Sequence, residues 1–426
     1  MWSMPKSRTL APFVFLLMLL TSCAGGRSVE FPEVLHAVPT DAIVVASARS
    51  LDVAFEMMRI DSTDVMRTLG WGELAERPAA ISYVYNGEAA LSPVLCVEAG
   101  GSPSDSLGSV REVLRGAAAR KLKAAYFPAD KLSLGCNVVI ITGTQSMFAS
   151  VLRHLQAGKS ILDAANFKDA AALSQRRDFV AFRNASLDKV LPRGYLPAFD
   201  RKQMLRFAKS FADWTVIVPG EGQTLLHSWQ HEGAAQFANV LKALPAVACS
   251  LGYVLPEGAT FAFSMPVGPK WRTEYAAYRD ACANLDKYER EISRLKGQTG
   301  VNPLAWEKEK GVAEVGLVRW DTGRQAVLVR AERAGSYAGV LENDTPGFVK
   351  ALYGGAFSLV QDTHKAVSPE GWIVFGTKED VERYLLSVRA RPSELWPLGG
   401  VKFVFWEPGH LFTSDDKQIS IWNSLH

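Results

Sequence analysis

The stretches ITGTQSMFASVL (residues 141–152) and VFGTKEDVERYL (residues 374–385) follow one pattern. In each, an aliphatic run ends at Gly, Thr follows, and apolar residues then recur at helical spacing. The aliphatic run predicts a strand. Thr predicts a helix N-cap, because its hydroxyl can accept a backbone N–H of the first turn, which has no partner inside the helix. Gly143-Thr144 and Gly376-Thr377 are therefore expected at two equivalent strand-to-helix junctions.

Working outward, three more pairs occur in the same order. Val38-Pro39-Thr40-Asp41-Ala42-Ile43-Val44-Val45-Ala46 parallels Leu255-Pro256-Glu257-Gly258-Ala259-Thr260-Phe261-Ala262-Phe263. Each reads as Pro, two turn residues, Ala and a strand. A hairpin follows in each half, turning at Asn86-Gly87 in one and at Asp321-Thr322-Gly323 in the other, with residues that accept positive φ. Residues 178–184 and 401–407 read as a further pair of strands. Such ordered self-similarity is the mark of a duplicated unit.

The first half continues with WTVIVPGEGQTLLHSW (residues 214–229), two strands around a Pro-Gly-Glu-Gly turn. In the second half only residues 418–422 remain to play either strand, so that repeat reads as shortened. Trp271, Tyr275, Tyr278, Cys282, Leu285, Tyr288, Ile292 and Leu295 form one apolar stripe, which predicts a single long helix over residues 270–296. At ~1.5 Å per residue it would be roughly 37 Å long. The expected fold class is α+β: two duplicated units, each a mainly antiparallel β-sheet with packed helices. The units are expected at residues 34–250 and 251–426.

The N-terminus has a different character. A short basic region with Lys6 and Arg8 precedes LAPFVFLLMLL at residues 10–20, an apolar run of eleven residues. A membrane-spanning helix needs about 20, whereas a secretory signal needs fewer. Leu20-Thr21-Ser22-Cys23 follows directly and resembles the lipobox of bacterial lipoproteins at every position. The resemblance implies a signal peptide over residues 1–22, diacylglycerol on the Cys23 thiol, cleavage before Cys23, acylation of the new amine, and a tether over residues 23–33. Ala24 stands where enteric inner-membrane lipoproteins carry aspartate. The expected location is thus the outer membrane of a Gram-negative bacterium, facing the periplasm. The VPTDA opening and the order of elements are similar to uncharacterised Gram-negative lipoproteins with a tandem α+β domain of unknown function. That resemblance brings no activity with it.

The 426 residues suffice for two or three domains, and 48% hydrophobic with 21% charged residues supports a packed core. Net charge is +3, of which Lys6 and Arg8 lie in the segment expected to be removed. No clustered basic face marks a nucleic-acid partner; the run RGAAARKLK (residues 115–123) reads as a solvated helix face. Cys96, Cys136, Cys249 and Cys282 are too widely spaced for metal or redox motifs. Export permits disulfides, so a Cys96–Cys136 pair stands open beside four buried thiols.

Motifs for chemistry are sparse. Asp321-Thr322-Gly323 spells the aspartic-protease tripeptide, but that reaction needs two such carboxylates and the matching turn is Asn86-Gly87. Gly158-Lys159-Ser160 lacks the glycine of a phosphate loop, having Arg153 in that place. His227 and His231 fall in a strand pattern with no third ligand on their face, so surface histidines are expected rather than a metal site. Trp320, Trp372, Trp396, Trp406 and Trp422 are expected to pack in a core. Cys23 is the only site residue assigned, with no catalytic, metal or cofactor-binding residue and no cofactor. The function expected is a non-enzymatic binding or scaffold module, lipid-anchored, for an envelope protein or a glycan in a groove between the units. The alternative is a periplasmic hydrolase in that cleft, using one of the seven histidines.

Overall fold

The computed structural model describes residues 31–61, 63–85, 91–100, 103–131, 135–175, 177–186, 209–220, 223–229, 236–320, 323–390, 403–407, 410–414 and 419–423. The chain divides into two compact units, Met1–His231 and Glu232–His426.

In the first unit the order is β1 (Val44–Ala48), α1 (Leu51–Met57), β2 (Ala79–Tyr85), β3 (Leu91–Glu98), α2 (Pro103–Ala119), β4 (Lys123–Phe127) and β5 (Val138–Thr142). Then come α3 (Gln145–Gln156), α4 (Phe167–Ala172), β6 (Phe179–Arg183), β7 (Trp214–Val218) and β8 (Gln223–Trp229). The strands lie side by side as β4-β5-β3-β2-β1-β6-β7-β8, every neighbour antiparallel. All five residues of β1 and of β5 are buried, so this sheet is covered on both faces. Val45, Ala80, Cys96 and Ile140 pack with Met147 and Val151 of α3 and Phe167 of α4. Val44, Ala46, Ile81, Leu95 and Ile141 face the other way, towards Leu51 and Phe55 of α1 and Val113 of α2.

The second unit runs α5 (Phe237–Lys242), β9 (Ala259–Pro266), α6 (Pro269–Ala281), α7 (Leu285–Thr299), α8 (Pro303–Lys310), β10 (Val312–Trp320), β11 (Gln325–Ala331) and β12 (Leu341–Glu342). It ends with α9 (Phe348–Tyr353), β13 (His364–Val367), β14 (Trp372–Gly376), α10 (Lys378–Leu386), β15 (Phe403–Glu407), β16 (His410–Ser414) and β17 (Ile419–Asn423). Its strands lie as β12-β13-β14-β11-β10-β9-β15-β16-β17, again antiparallel throughout. Apart from the two-residue β12, this is the order of the first sheet strand for strand, so the chain is a duplicated α+β protein. The junctions agree in detail. Thr144 Oγ1 accepts the Met147 N–H at 3.3 Å, and Thr377 Oγ1 accepts the Asp380 N–H at 3.2 Å. A 3₁₀ turn precedes the Val-Pro and Leu-Pro corners alike, at Glu33–Ala37 and Leu251–Val254.

Three expectations are corrected. The second repeat is not shortened: β16 and β17 both exist, pairing Phe412 with Ile421. The β15–β16 connection between Glu407 and His410 is so short that the hairpin reads in sequence as one segment. The long helix is broken. The rings of Tyr275 and Tyr288 meet edge-on at 5.8 Å, whereas one continuous helix would hold them ~20 Å apart. The chain turns at Ala283, φ +51°, with Ala283 N–H donating to Asp280 O and Asn284 N–H to Arg279 O, both at 2.8 Å. These two bonds are the pattern that closes a helix C-terminus, here without glycine. Finally, the unit boundary precedes residue 250, because α5 packs on α6 through Phe237 and Tyr278, 5.1 Å apart. The Asn86-Gly87 turn lies outside the described residues, although Tyr85 pairs with Leu91 across it. Gly323 takes φ +75° in an ordinary hairpin turn, its N–H donating to Trp320 O at 3.0 Å.

Buried polar groups tie the second unit together. Glu314 is fully buried and accepts from Ser250 N–H at 2.9 Å, Leu251 N–H at 3.1 Å, Ser264 Oγ at 2.6 Å and Arg330 Nε at 3.1 Å. Asp362 accepts the Gly347 N–H at 2.8 Å, yet burial raises its pKa from 3.8 to about 6.

Replacing either N-cap, Thr144→Ala or Thr377→Ala, is expected to cost about 1 kcal/mol in urea unfolding, with Ser restoring most of it. Asp362 gives a pH signature. The folded state binds its proton more tightly than the unfolded chain does, so its contribution is full below pH 3.8 and is lost as pH rises through about 6. Asp362→Asn, which keeps an acceptor for Gly347, should therefore melt several degrees above the parent at pH 8. At pH 3.5 the two melting curves should coincide, as scanning calorimetry at both values would show.

Candidate functional site

Among the described residues, the helices on one face of the first sheet do not extend over all of its strands. Helix α1 starts at Ser50, whose Oγ accepts the Val53 N–H at 3.3 Å, and lasts only seven residues. It packs on β1 and β2, α2 packs beside β4, and neither is in substantial contact with β6 or β7. Beside β1, β2, β6 and β7 on this face lies a hollow of about 290 Å³. Tyr83, Val44 and Phe182 stand side by side across β2, β1 and β6. Val180 and Ile217, paired on β6 and β7, extend the floor. The C-terminal end of α1 supplies the rim through Met57, Met58 and Arg59.

The second unit shows what fills the same place. By register, the pair Val44–Tyr83 corresponds to Phe261–Arg319. There the Arg319 guanidinium lies 5.2 Å from the Phe261 ring centre, and burial lowers its pKa. At the next outward position Ala46 corresponds to Phe263, whose ring meets Phe357 at 5.8 Å and Phe403 at 6.1 Å. The matched positions thus carry small side chains in one copy and aromatic ones in the other.

The hollow is nearly all apolar. Its exceptions among the described residues are the Tyr83 phenol and Arg59. Burial, with the neighbouring Asp64 carboxylate adding to it, pushes Tyr83 from 10.0 up to about 12. Asp64 is itself engaged, its Oδ1 accepting the Met66 N–H at 2.8 Å. Arg59 is exposed and has no ion-pair partner among the described residues. Nothing in the sequence pointed to this site, since it is assembled from strand positions up to 173 residues apart, Val44 to Ile217.

The positions singled out by sequence have structural roles. Gly158-Lys159-Ser160 ends α3, with Lys159 N–H donating to His154 O at 2.9 Å, and Ser160 opens a capping box with Asp163. His227 is buried on β8 opposite Val216, and His231 lies outside the described residues. No group of three or more potential metal ligands occurs among the described residues. Among the described residues the nearest approach to a hydrolytic arrangement is His154, with Thr40 Oγ1 at 3.1 Å from Nδ1 and Asp41 Oδ1 at 3.5 Å from Nε2. Thr40 and Asp41 are consecutive in the corner before β1, and the three residues fasten that corner to α3. Trp320 and Trp372 are buried, Trp406 is half-buried, and Trp396 and the Trp422 side chain lie outside the described residues. Cys96, Cys136, Cys249 and Cys282 are all unbridged. Burial drives the thiols of Cys136 and Cys249 up to about 12 and that of Cys96 upward too, which keeps them protonated and inert. Cys23 precedes the described residues.

No protein-family model, curated protein or solved structure matches this chain.

The Tyr83 environment has a direct readout. The difference in ultraviolet titration between the parent and Tyr83→Phe should show a phenol ionising near pH 12. A midpoint at the ordinary 10.0 would mean that this wall of the hollow is open to bulk water.

Proposed function

We propose that this chain is a lipid-anchored protein of a Gram-negative envelope, of the uncharacterised lipoprotein kind, and that it acts by binding. Its place is the outer membrane, facing the periplasm, with acyl chains on Cys23 holding it there. Leu20-Thr21-Ser22-Cys23, behind its eleven-residue apolar run, carries the anchor reading. Each buried methylene is worth about 0.8 kcal/mol, and two or more chains make attachment stable. Among the described residues no helix is long and apolar enough to cross a membrane, so an anchor at Cys23 would not be redundant with one of them.

What supports binding over catalysis is the hollow itself: a concave apolar surface with two polar groups, the usual composition of a ligand site. Its walls suit an apolar group better than a glycan, whose hydroxyls would need many more partners. Hydrolysis, the other reading, needs a nucleophile set against a base beside a substrate cavity. His154 with Thr40 and Asp41 borders no part of the hollow.

The anchor is tested by Cys23→Ser. The parent should yield a mature N-terminus at Cys23 bearing diacylglyceryl and N-acyl masses, and should stay with membranes in high salt, since acyl burial is not screened as charges are. The variant should accumulate as uncut precursor. A parent whose N-terminal residue is anything but Cys23, or whose Cys23 thiol is free, would defeat the proposal.

A further inference from the structure

We propose that the hollow of the first unit holds one medium-chain fatty carboxylate, its hydrocarbon on the strand floor and its anionic head at Arg59; this rests on the binding reading above. The volume sets the scale. About 290 Å³ is roughly ten times the ~30 Å³ share of one water, room for a single aliphatic chain. The floor is suited to hydrocarbon, since Val44, Phe182, Val180 and Ile217 offer no polar side-chain atom.

Charge decides the head group. Among the described residues Arg59 is the one cation lining the hollow, and none of them forms an ion pair with it. The other arginine nearby, Arg67, is spent: its Nη1 donates to Ile60 O at 2.9 Å and its guanidinium lies 5.7 Å from the Phe55 ring centre. A guanidinium holds a carboxylate through two parallel N–H donors, which an alcohol or a methyl ester cannot reproduce. Tyr83 keeps its proton in the physiological range and so adds a neutral hydroxyl rather than a competing anion. The second unit supplies the control. Phe261 and Arg319 stack on each other at the positions that match Val44 and Tyr83, so a Phe at position 44 is a side chain this framework already accommodates at the matching place.

The test uses the full chain in phosphatidylcholine vesicles with a diazirine-bearing dodecanoate as probe, and peptide mapping after irradiation. Label is expected on the peptide holding Met57 and Met58, displaced by unlabelled dodecanoate and reduced at least about tenfold by Val44→Phe. Arg59→Gln should weaken displacement by dodecanoate about tenfold, the loss of one charge-assisted contact, while leaving that by dodecanol unchanged. Circular dichroism and thermal melting show whether Val44→Phe folds; Arg59→Gln, at an exposed position, gives a readout independent of it. Label that survives Val44→Phe in a folded variant overturns the site. Dodecanol displacing the probe as well as dodecanoate does from the parent overturns the anionic head and leaves the binding reading standing. So does a protein cross-linked in cells through benzoylphenylalanine at Met58 that dodecanoate fails to displace. Neither label nor cross-link at this rim overturns the binding reading together with the ligand.

Discussion

Everything in this fold follows from sheets that are apolar on both faces. In β1 and β5 every residue is buried, and adjacent residues such as Val44 and Val45 point into different cores. An antiparallel sheet of this kind cannot turn one face to water, as many do. Each face needs a cover of helices and turns, and the chain must place a covering element on the correct side after nearly every strand. Where that cover falls short, apolar strand surface is left open.

The two copies meet this demand differently, and the difference lies between the first two strands of each repeat. In the first unit that connection holds α1, of seven residues; in the second it holds α6, α7 and α8. The added helices bring a cluster of aromatic rings around a buried ion pair. Arg272 donates to both carboxylate oxygens of Glu307, Tyr353 Oη donates to Glu307 at 2.6 Å, and the Arg272 guanidinium lies 4.2 Å from the Trp271 ring centre. Burying such charges is costly, and the cost is offset only when the hydrogen bonding is complete. Here Arg272 also donates to Leu352 O, so α6, α8 and α9 are held at one point.

How much of this was legible follows from whether the signal was local. Gly143-Thr144 and Gly376-Thr377 were readable because an N-cap needs a particular side chain beside a particular backbone turn. The repeated elements and their antiparallel character were readable, since most neighbours are consecutive hairpins, but the order of strands across each sheet was not. The break between α6 and α7 was not readable. Helix ends in this chain put Arg59, Lys121 and Ala283 at the left-handed position, where glycine would have announced a stop. The strand β16 was hidden by a tight connection, and α5 by lying before the second repeat begins. The hollow was beyond any local signal. It depends on which side chains of β1, β2, β6 and β7 share a face, and on how far a helix elsewhere extends over them.

Duplication gives the hollow its meaning. Two copies that share a strand order and the same capped junctions are held to the same packing problem, so what differs between them at matched places is side chains and cover, not architecture. The second copy has large groups at matched positions, Phe261 for Val44 and Phe263 for Ala46, together with Phe357 from a connecting turn. The first copy has a valine and an alanine at those two positions, beside a half-buried tyrosine. An uncovered apolar surface gains nothing for stability, since each Å² left in water forgoes about 25 cal/mol of burial. A repeat that carries aromatic side chains at the matched positions shows that larger groups there are within reach of this fold. On the reading proposed here, the first unit keeps its hollow for a ligand, with the tether at the N-terminal end of that same unit.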